Sequence, residues 1–240
     1  MIFAAGLGTR LKPYTNSKPK ALVELAGKPL LERAIGKLKD LGVDRIVINV
    51  HHFADLIEDF LKENDNFGVD IRISDEREEL LDTGGGLKKA KDLFIPNAPV
   101  LIYNVDILST IDLNELIEGH QKSEALVSMV MRKRESSRYL YFNANKQLTG
   151  WKNCKTGETK VARTDMNESQ PMAFSGIHLV DAKLFELIEE EGKFSIIDLY
   201  LRLAKTQKMI AFADQSDLWF DLGKPEQLQK AESLIKNYEL

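Results

Sequence analysis

Short apolar runs alternate with stretches of helical period along this chain, and that alternation restricts it to a layered α/β domain. Arg45–Val50 (RIVINV) reads as a strand, and residues 100–105 are a continuous apolar run of strand length, the pattern of a strand buried on both faces. Leu30, Leu31, Ala34, Ile35, Leu38 and Leu41 recur at helical spacing, and Gly42 ends that pattern. Further strands are expected over 2–5, 69–74, 125–131, 172–179, Met209–Ala213 and 218–221. Helices are expected over 54–61, 87–93, 111–121, 182–190, 196–205 and from Pro225. Residues 139–142 and 148–151 read as a hairpin, and the polar run 152–170 as a mobile loop. No repeat or linker-like run interrupts the order. One domain over 1–240 is therefore expected, with 133–171 as a hairpin or lid region on it.

Composition narrows the function classes. Lys plus Arg is 33 and Asp plus Glu is 37, a net charge of −4, where a general nucleic-acid binder is usually basic. No stretch approaches the roughly 20 apolar residues of a membrane span. The start, Met1-Ile2-Phe3-Ala4-Ala5, lacks the basic residues and apolar length of a signal peptide, so a cytoplasmic location is expected. The single cysteine, Cys154, cannot form an intrachain disulfide, and no Cys/His cluster has zinc-site spacing. His51, His52, His120 and His178 have no partners at catalytic spacing and read as structural or surface residues.

Five local patterns carry chemistry. Ala4-Ala5-Gly6-Leu7-Gly8-Thr9-Arg10 follows the first strand, where glycines let backbone N–H groups approach a phosphate. Alone, a Gly-x-Gly after a strand is equally a tight turn. The third glycine of a dinucleotide fingerprint and the Gly-Lys-Ser/Thr ending of a P-loop are both missing. Ser17-Lys18-Pro19-Lys20 adds a second cation, so Arg10 with its planar fork and Lys20 with its point charge both suit a triphosphate. Asp106 ends the run 100–105, and Asp221, in Trp219-Phe220-Asp221-Leu222-Gly223, ends another strand. In open α/β sheets ligands bind outside the carboxyl ends of strands, and a carboxylate there suits Mg²⁺. A lone Asp before a helix also reads as an N-cap. The fifth pattern is Asp82-Thr83-Gly84-Gly85-Gly86, whose bare backbone and Thr83 hydroxyl suit a flat base, or else form a flexible helix entry.

Together these motifs resemble the sugar-1-phosphate nucleotidyltransferase family, whose signature Gly-x-Gly-Ser/Thr-Arg, a gap, then Lys-Pro-Lys is matched by Gly6 to Arg10 and Lys18-Pro19-Lys20. The resemblance implies a Rossmann-like three-layer α/β/α sandwich with a mixed central sheet. It implies that Arg10 and Lys20 hold the triphosphate and act with Asp106 as catalytic groups, and that Asp106 and Asp221 hold Mg²⁺. The nucleotide would further meet Ala4, Ala5, Gly6, Gly8, Thr9, Thr83, Gly84, Gly85 and Asn104. The sugar would lie near Tyr141, Asn153, Ser175 and Gly176. Val105 departs from the family, where glycine commonly precedes the metal aspartate.

Within the family, Asp-Thr-Gly-Gly-Gly and Ala173-Phe174-Ser175-Gly176-Ile177 are similar to uridylyltransferases of cell-wall recycling that act on N-acetylmuramate 1-phosphate. The implied substrates are UTP and a sugar 1-phosphate, the products a UDP-sugar and pyrophosphate. No nucleic acid or membrane is involved, and the chain would act as a monomer or homodimer. Two other readings stay open: GTP with mannose or heptose 1-phosphate, and a non-catalytic nucleotide-sugar-binding regulator.

Overall fold

The computed structural model describes residues 1–235. In chain order its elements are β1 (Ile2–Phe3), the small hairpin β2 (Glu24–Leu25) and β3 (Lys28–Pro29), α1 (Leu30–Asp40), β4 (Arg45–Val50), α2 (Ala54–Glu63), β5 (Asp70–Asp75) and α3 (Asp82–Lys89). There follow β6 (Val100–Asn104), β7 (Ile107–Ser109), α4 (Leu113–Ser123), β8 (Val127–Arg132), β9 (Arg138–Phe142), β10 (Leu148–Asn153), β11 (Thr159–Val161) and β12 (Gln170–Val180). The described chain closes with α5 (Ile196–Leu203), β13 (Met209–Ala213), β14 (Trp219–Asp221) and α6 (Pro225–Ile235).

β1, β4, β5 and β6 form the parallel half of a ten-stranded sheet, with β1 between β4 and β6. β1 is only a dipeptide, yet its register puts Phe3 beside both Asn49 and Asn104, so three strands end along one edge. β12 makes the sheet mixed. It runs antiparallel to β6 over 177–180, to β8 over 173–174 and 178–180, and to β9 over 170–172.

Strand alternation decides which helices cover which face. Ile46, Ile48, Val50, Leu101 and Tyr103 pack with Leu31 and Ile35 of α1, Ile57 of α2, Leu116 of α4 and Leu228 of α6. Val47, Val100 and Ile102 point the other way, onto Leu87 of α3 and Leu199, Tyr200 and Leu203 of α5. The result is the expected sandwich, with both sheet faces covered.

Three expectations change. Residues 152–170 are not a loop: β10 runs on to Asn153, β11 pairs with it, and a 3-10 turn over Thr164–Glu168 buries Met166 against Gly150. The polar composition reflects an edge strand with solvent-facing side chains. Residues 182–190 yield only a 3-10 turn over Ala182–Glu186, capped by Asp181 onto the Lys183 N–H.

The third change concerns Gly84, Gly85 and Gly86, which lie inside α3 rather than before a helix beginning at Leu87. All three are buried. A Cβ on Gly84 would run into the Phe194 ring, and one on Gly85 into the Gly192 carbonyl. The Gly84 N–H donates to the Phe194 carbonyl at 2.9 Å. These two glycines therefore let the segment before α5 pack directly on α3. Gly84→Ala is expected to destabilise by about 1–3 kcal/mol through overpacking. That lowers Tm by roughly 2–10 °C for a domain of this size, and an unchanged melting curve would refute the packing role.

Candidate active site

The glycine loop is shaped by one left-handed residue. Gly8 has φ 63°, and its carbonyl accepts both the Leu11 N–H and the Thr15 hydroxyl at 2.9 Å. A Cβ on Gly8 would lie 2.9 Å from Thr15 Cγ2 and 3.2 Å from Lys20 Cβ, so only glycine fits. Leu11 is fully buried and pins the 3-10 turn Thr9–Leu11, which carries the exposed Arg10. Thr15, buried and without any motif to mark it, and Lys20 both pack against Gly8 of the loop.

The loop has an inner and an outer half. Ala4 and Ala5 are buried, and Asn49 Oδ1 accepts their N–H groups at 2.8 and 3.4 Å. Backbone expected to face a nucleotide is therefore held from beneath at these two residues. Gly6, Leu7, Thr9 and Arg10 form the exposed half, with open space above Gly6.

The two aspartates meet through a second, two-stranded sheet. β14 pairs antiparallel with β7, setting Asp221 opposite Ile107, and the Leu222 N–H donates to the Asp106 carbonyl at 2.8 Å. Asp106 is 6% exposed and its Oδ2 lies 2.6 Å from Lys20 Nζ. Gly223 is the floor of this cluster. A Cβ there would lie 2.8 Å from Asp221 Oδ1, 3.0 Å from Arg10 Nη2 and 3.3 Å from Asp106 Oδ2. Arg10, Lys20, Asp106 and Asp221 are thus gathered at one point. Val105 is buried in the core.

Asp221 holds its proton above the usual carboxylate range, first because it is buried and next because Asp106 is a like charge nearby. Its bond from the Gly223 N–H (2.9 Å) and the charges of Arg10 and Lys20 pull the other way. Asp106 and Asp221 bring carboxylate oxygens to one point, with Arg10 and Lys20 balancing their charge. Among the described residues no group of three or more His, Cys, Asp or Glu is arranged to hold a metal ion. The donor set therefore fits a hard cation that takes its remaining ligands from water and phosphate, as Mg²⁺ does.

The remaining candidates divide. Asn104 ends β6, and Gly176, at φ 78°, packs where a Cβ would meet Ile107 Cγ1 at 2.7 Å and Asn104 Nδ2 at 3.0 Å. The Ser175 carbonyl accepts Trp219 Nε1–H at 3.0 Å, and the Arg134 guanidinium lies 4.3 Å from the Trp219 ring centre. Asn104, Ser175 and Gly176 thus border the acids. Thr83 Oγ1 accepts the Ile196 N–H at 3.0 Å, at the head of α5. Tyr141 pairs with Gly150 and Pro171 in the sheet extension. Asn153 closes the β10–β11 turn, its Oδ1 accepting the Lys155 N–H at 3.0 Å. Asn49 and Glu76, which carry no motif, join the glycine loop to the segment before α3.

Residues 1–237 match the nucleotidyl transferase family. The chain is 32% identical to N-acetylmuramate alpha-1-phosphate uridylyltransferase of Caulobacter vibrioides, covering 98% of this chain and 96% of that protein. It is 30% identical to a probable mannose-1-phosphate guanylyltransferase of Oryza sativa subsp. japonica, covering 94% of this chain and 61% of that longer protein. Among solved structures, HddC from Yersinia pseudotuberculosis superposes with a TM-score of 0.77 at 26% identity, over 97% of this chain and 96% of that one. With the family matched from the first strand into the last helix, and the charged cluster gathered where the parallel strands end, the chain belongs to the nucleotidyl transferase family.

Proposed function

We propose that the chain joins N-acetylmuramate 1-phosphate to UTP, giving the UDP-sugar and pyrophosphate. The observation that carries the chemistry is the meeting of Arg10, Lys20, Asp106 and Asp221 around Gly223. The choice of substrates rests on the 32% identity to the Caulobacter enzyme over nearly the whole of both chains.

The sugar phosphate already carries most of its second negative charge at neutral pH, since a phosphate monoester has a pKa near 6. Its oxygen attacks the α-phosphorus, the bond from that phosphorus to the bridging oxygen breaks, and pyrophosphate leaves with the electron pair. No side chain needs to remove a proton. The chain must instead align two polyanions and cancel their repulsion. Arg10, on the exposed loop, offers a fork to the leaving pyrophosphate, and Lys20 a point charge to the α-phosphate. The backbone of Gly6 to Gly8 is the approach surface for the nucleotide. Asp106 and Asp221 would hold Mg²⁺, which supplies charge neutralisation and a template for the phosphate oxygens. Asn104, Ser175 and Gly176, which border the acids, would serve the sugar side.

Pyrophosphate release, measured over UTP, GTP, CTP and ATP against N-acetylmuramate, mannose and heptose 1-phosphates, tests this reading. UTP with the muramate is expected to give the highest kcat/KM. A preference for GTP with mannose 1-phosphate would replace the substrate assignment and leave the chemistry standing. No release with any pair would overturn both.

A further inference from the structure

The buried side chains of Asn49 and Glu76 have partners on two separate segments around the proposed nucleotide cleft. Asn49 Oδ1 accepts the Ala4 and Ala5 N–H groups, and its Nδ2 donates to Glu76 Oε1 at 2.7 Å. Glu76 Oε2 accepts the Leu81 N–H, immediately before α3, at 3.0 Å. Glu76 is 0% exposed, and its carboxylate meets amide donors rather than a cation. Its backbone is fixed as well: its N–H donates to the Val50 carbonyl at 2.8 Å, and its own carbonyl is paired with His51 Nδ1 at 2.7 Å.

A carboxylate buried in this way is costly, and two apolar side chains would fill a gap between β4 and α3 more stably. Gly86 shows how closely the fold accommodates the pair. A Cβ on Gly86 would lie 2.7 Å from Glu76 Oε1 and 3.2 Å from Asn49 Nδ2. The third glycine of Thr-Gly-Gly-Gly thus makes room for these two side chains.

We propose that Asn49 and Glu76 are positioning residues for the nucleoside triphosphate: together they lock the glycine loop to the segment leading into α3, so that both reach the nucleotide as one rigid body. Neither needs to touch the ligand. A preorganised cradle avoids the entropy of ordering its parts at each binding event. This role rests on the nucleotide reading of the cleft given above.

The donor pattern supplies the test. Glu76→Gln keeps the shape but replaces one accepting oxygen with an N–H₂ group. Asn49 Oδ1 is already engaged by Ala4 and Ala5, so in either orientation of the new amide a donor faces a donor. The double variant Asn49→Asp/Glu76→Gln restores complementarity. The carboxylate at position 49 then accepts from the loop and from position 76, while the amide oxygen at 76 accepts from Leu81.

Glu76→Gln is expected to raise KM for UTP, assayed with MgCl₂, about 10-fold or more, the order expected when a buried donor loses its acceptor. KM for the sugar phosphate and kcat at saturation should stay within about 2-fold, a split that general loss of stability would not produce. Without ligand, hydrogen exchange should quicken together at Ala4, Ala5 and Leu81. The double variant should recover both properties. A single variant with unchanged KM for UTP, exchange altered at Leu81 alone, or a double variant no better than the single would overturn the proposal. If the wild-type protein itself shows no saturable dependence on any nucleoside triphosphate, the nucleotide reading fails first and the positioning role with it.

Discussion

Arg10→Ala is expected to lower kcat about 10²- to 10³-fold, equivalent to about 3–4 kcal/mol of transition-state stabilisation. Arg10 is exposed on a turn fixed by Leu11 and Gly8, and its Nη2 borders the same point as Asp106 Oδ2 and Asp221 Oδ1. Charge on the leaving pyrophosphate grows as the bridging bond breaks, so a cation placed there helps the transition state more than the ground state. Arg10→Lys keeps the charge but loses the planar fork, and should recover only part of the rate. Arg10→Ala also removes a charge that favours the ionised Asp221, so a loss of stability of about 1 kcal/mol should accompany it, while Arg10→Lys keeps that charge and should cost less. Steady-state pyrophosphate release with a melting curve checks both halves. A variant with wild-type kcat would remove Arg10 from the chemistry.

The parts of this molecule legible in the sequence are those that a local pattern encodes. The mostly apolar runs of β4 and β6 are legible because a strand buried on both faces has little polar side to show. The periodicity from Leu30 gave α1, and the hairpin at 139–151 was marked by its polar turn. The register between β7 and β14 has no such pattern. What brings Asp221 beside Asp106 is a pairing across more than a hundred residues, suggested only by both acids ending strands. Thr15, Asn49 and Glu76 were invisible for a related reason. Each is an ordinary polar residue whose importance lies in a partner distant in sequence or in a buried backbone group. The three glycines from Gly84 suit a flat base or a flexible helix entry by their sequence alone, whereas in the fold Phe194, Gly192 and Glu76 press against them. The edge strand β11 was missed because a strand exposed on most of its surface carries loop-like composition.

Asp106→Asn should reduce kcat/KM about 10³-fold and raise the Mg²⁺ concentration needed for half-maximal rate, while Lys20→Ala should leave that Mg²⁺ requirement much less affected. The two residues form one ion pair at 2.6 Å, so a purely structural bridge would respond alike to loss of either end. The proposed roles differ. The carboxylate would give oxygen to the cation, and Asn offers only a neutral carbonyl in its place, a weaker donor for a hard ion. The asparagine also leaves the Lys20 ammonium, largely buried, without its counter-charge. Some loss of stability will therefore accompany the loss of rate, and the Mg²⁺ titration separates the two. Excess Mg²⁺ can restore rate only if the defect is in holding the cation, and it does nothing for a broken salt bridge. Asp221→Asn extends the argument. Asp221 is the second carboxylate at the same point and has no bridge to Lys20, so a matching rise in the Mg²⁺ requirement there would tie the effect to the pair of acids. Equal Mg²⁺ dependence in the wild type and both asparagine variants would exclude these two residues as cation ligands. Chelation with EDTA should silence the wild-type enzyme, and full activity in EDTA would exclude the divalent cation altogether.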